Sequence, residues 1–256
     1  VGEGAGVVTR PAPPEVYEAR PEAPLVVMPS NNTGATVRSI AQRFPGRLAH
    51  LIGPGGWRTP FLPYALDNGA FGAWASGTPF NEDAFCELLA RAQCHEEASR
   101  AGGSCEAPLW VAVPDVVADR RATLDSWGAW APRLRRYGWP LAFVVQDEMV
   151  RQDVPGDADV VFVGGTTKWK WSTVPAWCAW FRRVHVGRVN RPRALDYLDQ
   201  LGAESCDGTG WLRGDQVQLN GLIDFLAGRT NLRLFDAPDG PLPAADEEVT
   251  RDACAA

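Results

Sequence analysis

Three acids and an amide stand where short apolar runs give way to polar or glycine-containing segments. They are Asp67 before Asn68-Gly69, Asp115 after Pro114, Gln146 before Asp147, and Asp207 before Gly208-Thr209-Gly210. Gly164-Gly165 and Gly187-Arg188 mark boundaries of the same kind. Two carboxylates brought to one site can divide labour, one attacking as a nucleophile and the other carrying a proton, with the surroundings deciding which is ionised. An acid and an amide, here Asp115 and Gln146, can read a planar ring whose edge bears donors and acceptors. Taken singly, an Asp before Gly is a turn former; these residues gain a chemical meaning only from elements that would gather them.

Those elements are legible as alternating apolar runs and helical periods. Strands are expected over 25–28, 48–52, 64–66, 109–113, 141–145, 160–163 and 184–186, with an eighth just before Asp207. Helices are expected over 80–100, 120–137, 192–201 and 214–226, and Ser30 to Gly34 forms a turn that can cap a helix running to about Phe44. Alternation of this kind, with nearly every strand ending in polar or glycine residues, predicts an α/β fold, a single-domain (β/α)8 TIM-type barrel. In such a barrel the strand ends converge on one mouth. An open doubly wound sheet is the alternative, because periodicity does not show whether the strands close.

The chain of 256 residues, 45% of them apolar, is long enough for one large core. Composition divides it into a Pro-, Gly- and Glu-rich leader (1–23), a barrel (24–230) and a Pro- and acid-rich tail (231–256). No apolar run approaches the roughly 18 residues of a membrane span, and the N-terminus lacks a basic-then-apolar order, so a soluble cytoplasmic protein with no membrane partner is expected. The six cysteines include no Cys-x-x-Cys pair, which argues against a zinc knuckle or a disulfide framework. The net charge of −6 disfavours a wholly electrostatic nucleic-acid binder, yet seven basic residues and no acidic one fall between Lys168 and Arg193.

Within that stretch, Thr166 to Trp171 reads as a basic, aromatic-interleaved loop beside the mouth. It could hold a phosphate with Lys168 or Lys170 and stack a base on Trp169 or Trp171, with Arg182, Arg183, Arg188, Arg191 and Arg193 extending the track. Trp177, Trp180 and Phe181 are expected in a helix core, and His185 as a wall residue.

The segment Leu66-Asp67-Asn68-Gly69-Ala70-Phe71 resembles the Asp-Ser-Gly-Gly-Phe segment of tRNA-guanine transglycosylases, and Val145-Gln146 resembles their Val-Gln-Gly segment. Phe162-Val163-Gly164-Gly165 is similar to their Gly-Gly loop, and Ser205-Cys206-Asp207 falls where they carry the nucleophilic aspartate. Within that superfamily, His185 to Asn190 and the Asp207-Gly208-Thr209 step most resemble the branch that inserts 7-deazaguanines into DNA in phages and bacterial modification islands. The resemblance runs from about residue 24 to 227. It implies Asp207 as nucleophile, Asp67 as proton carrier, Asp115, Gln146, Gly164 and Gly165 as the guanine site, and Arg188 and Asn190 with the basic loop as polynucleotide contacts. The implied partners are DNA and a 7-deazaguanine base, with a helper subunit to open the duplex as a further candidate. The tRNA members hold zinc with three closely spaced cysteines and a histidine. This chain has no such spacing, so the zinc subdomain is expected to be missing and no metal or other cofactor is expected. Two alternatives stay open: the same base exchange on tRNA or on a free nucleoside or nucleotide, and a non-catalytic barrel that binds nucleic acid within a modification complex.

Overall fold

The computed structural model describes residues 23–213 and 216–229; apart from residue 23, the leader and tail expected from composition lie outside them. The elements in chain order are β1 (Val26–Pro29), α1 (Ala35–Arg43), β2 (His50–Ile52), β3 (Tyr64–Leu66), α2 (Ala70–Ser76), α3 (Glu82–Ala101), β4 (Val111–Ala112), α4 (Arg120–Leu134), β5 (Leu141–Val145), β6 (Val160–Val163), α5 (Thr167–Trp180), β7 (Val184–Val186), α6 (Pro192–Gln200), β8 (Ser205–Gly208) and α7 (Gln216–Leu226). Among the described residues, no α-helix follows β2 or β5. Asn81 and Asp119 begin α3 and α4 by accepting from the amides of Ala84 and Ala122, each at 2.9 Å.

All eight strands are parallel and hydrogen-bonded in sequence order from β2 round to β8, which pairs with β1. Bridges from Val27 to Leu48 and from Ser30 to Leu51 join β1 to β2. The Val27 amide donates to the Arg47 carbonyl at 3.0 Å, and the Ala49 amide donates to the Val27 carbonyl at 3.2 Å. The ring is therefore closed, the fold is a (β/α)8 barrel, and the open-sheet alternative falls away.

Alternation along the strands sorts side chains into two layers. Met28, Leu51, Trp110, Val144 and Phe162 fill the barrel, and Ala49, Ala65, Ala112 and Ala142 leave room for the indole of Trp110. Val27, Ile52, Leu66, Val111, Phe143 and Val161 face the helices. Register aligns Val144, Phe162, His185 and Ser205 as one row across β5 to β8. Two residues further along, the same face presents Gln146, Gly164, Gly187 and Asp207, with Met28 beside Asp207 on β1. Two glycines in that upper row lower the wall between Gln146 and Asp207.

Two stretches depart from the sequence expectation. The polar segment after Asp67 becomes a helix at Ala70, entered through Gly69 with φ of 81° and left through Gly77 with φ of 66°. The expected basic loop after Gly165 is the first turn of α5, which carries Pro175 within it. Its buried stripe is Lys170, Val174, Trp177 and Cys178, a helical spacing in which a lysine holds an inward position.

Candidate active site

Asp207 ends its apolar run from inside β8 rather than beyond it, and it is buried at the C-terminal mouth. Its Oδ1 accepts from the Arg188 amide at 3.1 Å and lies 3.1 Å from Nε2 of His185, while Oδ2 accepts from the Ser30 hydroxyl at 3.1 Å. His185 Nδ1 lies 2.8 Å from the Ser205 hydroxyl. A proton on Nε2 lets the imidazole donate to Asp207 Oδ1, while Nδ1 and the Ser205 hydroxyl share the second hydrogen bond. Below this pair, Trp110 and Phe162 close on the imidazole, with ring centroids 4.8 and 4.5 Å away. His185 is thus a wall residue, as expected, and one whose polar edge is turned to the carboxylate.

Burial alone would push the Asp207 carboxyl up. The hydrogen bond and charge of His185, the Arg188 amide and the Lys170 ammonium outweigh it and hold the carboxyl below its ordinary 3.8. Asp67 moves the other way. Burial, then the negative charges of Asp207 and Asp115, push it up to about 7 against the pull of the Gly69 and Asn68 amides. Asp115 is raised to about 6, chiefly by burial, against the Asn68 hydrogen bond, its own amide and the Arg188 charge. The three acids therefore share one mouth with divided protonation: Asp207 is an anion, and Asp67 is poised to hold or release a proton near neutrality.

The expected base-reading pair is joined to itself. Asp115 Oδ2 accepts from the Gln146 amide nitrogen at 2.6 Å, and its Oδ1 accepts from Asn68 Nδ2 at 2.7 Å. The Gln146 oxygen accepts from the amides of Gly165 at 3.0 Å and Ala118 at 2.9 Å. Gln146 thus orients Asp115 and the β6 loop rather than offering a free edge. Gly164 admits this arrangement, since a Cβ there would stand 2.9 Å from Val144 Cγ1 and 3.0 Å from Gln146 Nε2. Gly165 takes φ of 69° and lies against the Trp169 ring. Trp169 is consequently packed between Gly165 and Trp177, whose ring centroid is 6.2 Å away.

The basic track is corrected in two places: Arg182 and Arg183 stand just before β7, at the end of the barrel away from the mouth, where Arg183 pairs with Glu204 at 2.8 Å, and Lys170 is withdrawn from the surface. Lys170 is 1% exposed and its Nζ donates to the carbonyls of Gly187 at 2.5 Å and Arg188 at 3.3 Å, so it presents no ammonium to a phosphate. Lys168 is exposed, as are Arg182, Arg191 and Arg193. Asn190 is exposed as a residue, and its oxygen accepts from the Gly210 amide at 2.9 Å, bracing the loop after β8. Arg188 reaches over the mouth: its guanidinium lies 4.2 Å from the Phe71 ring centroid and donates to the Gly165 carbonyl, linking the rims after β3 and β6.

Sequence reasoning missed several members of the site. Ser30 and Asn31 stand at the end of β1, the same kind of position that singled out the acids, but their Ser-Asn-Asn-Thr composition reads as a helix cap. Here α1 begins at Ala35 after Gly34, without a side-chain cap; Ser30 serves Asp207, and Asn31 accepts from the Gly53 amide at 2.8 Å. Asp147, next to Gln146, accepts from the amide and hydroxyl of Thr166 at 2.7 and 2.5 Å, securing the start of α5. Two surface grooves, of about 410 Å³ between α1 and α7 and about 500 Å³ beside Trp57 and His95, share no residue with the carboxylate cluster. No helix among the described residues is long and apolar enough to cross a membrane.

No family model matches the chain, and no curated protein matches it. Solved structures of the tryptophan synthase complex from Pyrococcus furiosus are similar to it. One, from work on mutual activation of the α2β2 complex of that hyperthermophile, shares 10% identity at a TM-score of 0.45, covering 82% of this chain and 100% of that one. Another shares 11% identity at a TM-score of 0.45, covering 80% of this chain and 98% of that one. Superposition at this level says nothing of chemistry.

Proposed function

We propose that the chain is a base-exchange transglycosylase that removes guanine from a polynucleotide, DNA in the favoured reading, and installs a 7-deazaguanine. The observation that carries this reading is the division between two acids at one barrel mouth: Asp207 held ionised by three hydrogen bonds, Asp67 held near neutrality by burial and by Asp207 itself. Exchange with retention at the anomeric carbon needs two inversions and hence a covalent sugar–enzyme intermediate. Asp207 Oδ attacks C1′, the C1′–N9 bond breaks, and its electron pair leaves with guanine, which takes a proton from Asp67. The incoming base then gives its N9 proton to Asp67 and attacks C1′, and the Asp207 carboxylate is released. Hydrogen bonds that stabilise the anion make Asp207 a good leaving group in this second step.

Asp115, oriented by Asn68 and Gln146, is the acceptor for the N–H edge of the base. A base within a duplex cannot reach such a mouth, so the target is flipped out or single-stranded. A second reading, the same exchange on a free nucleoside or nucleotide, is favoured by the withdrawal of Lys170 from the surface, which removes one expected phosphate contact.

The test is trapping of a denaturant-stable adduct between the full chain and a guanine-containing oligonucleotide or nucleoside. The adduct is expected with the unmutated chain and lost in Asp207→Asn. An adduct that survives in Asp207→Asn would remove Asp207 from the mechanism.

A further inference from the structure

Lys170 is the one buried cation whose two partners are main-chain carbonyls of the turn that wraps Asp207, among the contacts described. Those carbonyls, of Gly187 and Arg188, belong to consecutive residues at the end of β7. Between them the chain takes an unusual course: Arg188 has φ of 57°, in the left-handed region that a residue with a side chain seldom occupies. The result is that the amides point the opposite way. Arg188 N–H donates to Asp207 Oδ1 at 3.1 Å and Val189 N–H donates to the Asp207 carbonyl at 2.6 Å. One side of the turn faces the ammonium and the other faces the acid.

The turn has little room to relax. A Cβ at Gly187 would stand 2.6 Å from Phe162 Cε2, and one at Gly208 would collide with the Val189 carbonyl. The choice of lysine is also informative in a chain whose 25 basic residues include only two lysines, Lys168 and Lys170. A compact ammonium can reach two adjacent carbonyls from one nitrogen, whereas the planar fork of arginine suits paired oxygens in its own plane. The groups facing Lys170 are the Arg188 guanidinium, the Asp207 carboxylate, the Cys206 thiol and the Trp171 ring, 5.1 Å from Nζ.

We propose that Lys170 is a positioning residue for the Asp207 carboxylate, its Nζ clamping the Gly187 and Arg188 carbonyls so that the Arg188 amide is aimed at Asp207 Oδ1. The assignment of a catalytic consequence rests on the transglycosylase reading; the clamp itself does not. Burial, then the Arg188 charge, hold the Lys170 ammonium down at about 7, while Asp207 and Cys206 pull it up. Lys170 and Asp207 therefore stabilise each other's charge, and such coupling is reciprocal: whatever Lys170 does for Asp207, Asp207 does for Lys170.

The presence of only two lysines makes this measurable on the full chain without altering Lys170. With 13Cε-labelled lysine the protein gives two side-chain signals, and Lys168→Arg assigns them. The Lys170 signal is expected to titrate well below the ordinary lysine range, and to titrate lower still in Asp207→Asn, by a tenfold or greater change in proton affinity. A Lys170 signal that ignores Asp207→Asn overturns the clamp. Kinetics supply the second arm: Lys170→Met should lower kcat for base exchange roughly 10- to 100-fold with KM within about twofold, and should move the acidic limb of the pH profile upward. A folded Lys170→Met chain with unchanged kcat and pH profile also overturns it. Absence of exchange by the unmutated chain on every substrate would instead sink the functional reading, with the lysine titration still deciding the clamp.

Discussion

Replacing Asp67 by asparagine should change the way stability depends on pH, and the sign follows from the site. In the unfolded chain this carboxyl titrates near its ordinary 3.8, whereas in the barrel burial and the charges of Asp207 and Asp115 raise it to about 7. Between those values the folded state keeps a proton that the unfolded state has released. The stabilisation is therefore full below 3.8 and is lost as pH rises to about 7. Asparagine cannot titrate and resembles the protonated acid, so the variant should gain on the unmutated protein as pH rises. Each pH step inside the window is worth about 1.4 kcal/mol, so between about pH 5 and pH 8 the difference between the two proteins should move by about 2–3 kcal/mol. The assay is urea unfolding followed by tryptophan fluorescence at several pH values. Asp207→Asn is the internal control. Because the Asp207 carboxyl is held below 3.8, its contribution is present above that value and lost on acidification, so this variant should be weakened most at high pH. A difference between Asp67→Asn and the unmutated protein that stays constant from pH 5 to 8 would refute the electrostatic argument.

Other consequences follow from the walls of the mouth. Gly187→Ala places a methyl 2.6 Å from Phe162 Cε2 and 3.4 Å from Asp207 Oδ1, and should cost about 1–3 kcal/mol in denaturant unfolding; unchanged stability would show that the β7 turn gives way freely. Gln146→Leu leaves the amides of Ala118 and Gly165 without their acceptor and takes one donor from Asp115. It should raise the Asp115 carboxyl further above its present value of about 6 and weaken base binding about tenfold or more by calorimetry. Base binding at full strength in that variant would remove Gln146 from the site.

The barrel is legible in the sequence because its strands are unusually well punctuated: Val160–Val163 stops at Gly164-Gly165, and Leu141–Val145 stops at Gln146. The acids at 67, 115 and 207 are legible for the same reason, since a polar residue directly after an apolar run lies at a strand's open end. What stays hidden depends on three-dimensional partners. Lys170 looks like a surface charge until its spacing with Val174, Trp177 and Cys178 is put on a helix, and Pro175 and the closely set tryptophans disguise that helix as a loop. The Ala70–Ser76 helix is short and holds a glycine, so its period is too brief to register. Gln146 and Asp115 are correctly gathered at the mouth, but that they bond to each other is a matter of side-chain direction that spacing does not encode. Ser30 is the reverse case, a strand-end position at the mouth whose composition argues for a cap.

Planar groups gather at the rim of the mouth. Phe71 and Arg188 form the outer edge of the mouth, with Trp74 beyond them 55% exposed and its ring 5.7 Å from that of Phe71. Under the proposed base exchange, these planar groups are the ones that a single-stranded or extruded base would meet.

Base exchange at this mouth is decided by incorporation of isotope-labelled guanine and 7-cyano-7-deazaguanine into DNA, tRNA and free nucleosides side by side, with the full chain and its Asp207→Asn variant. Label is expected in DNA, from the unmutated chain only. Label in none of the three, or equal label from the variant, would contradict it.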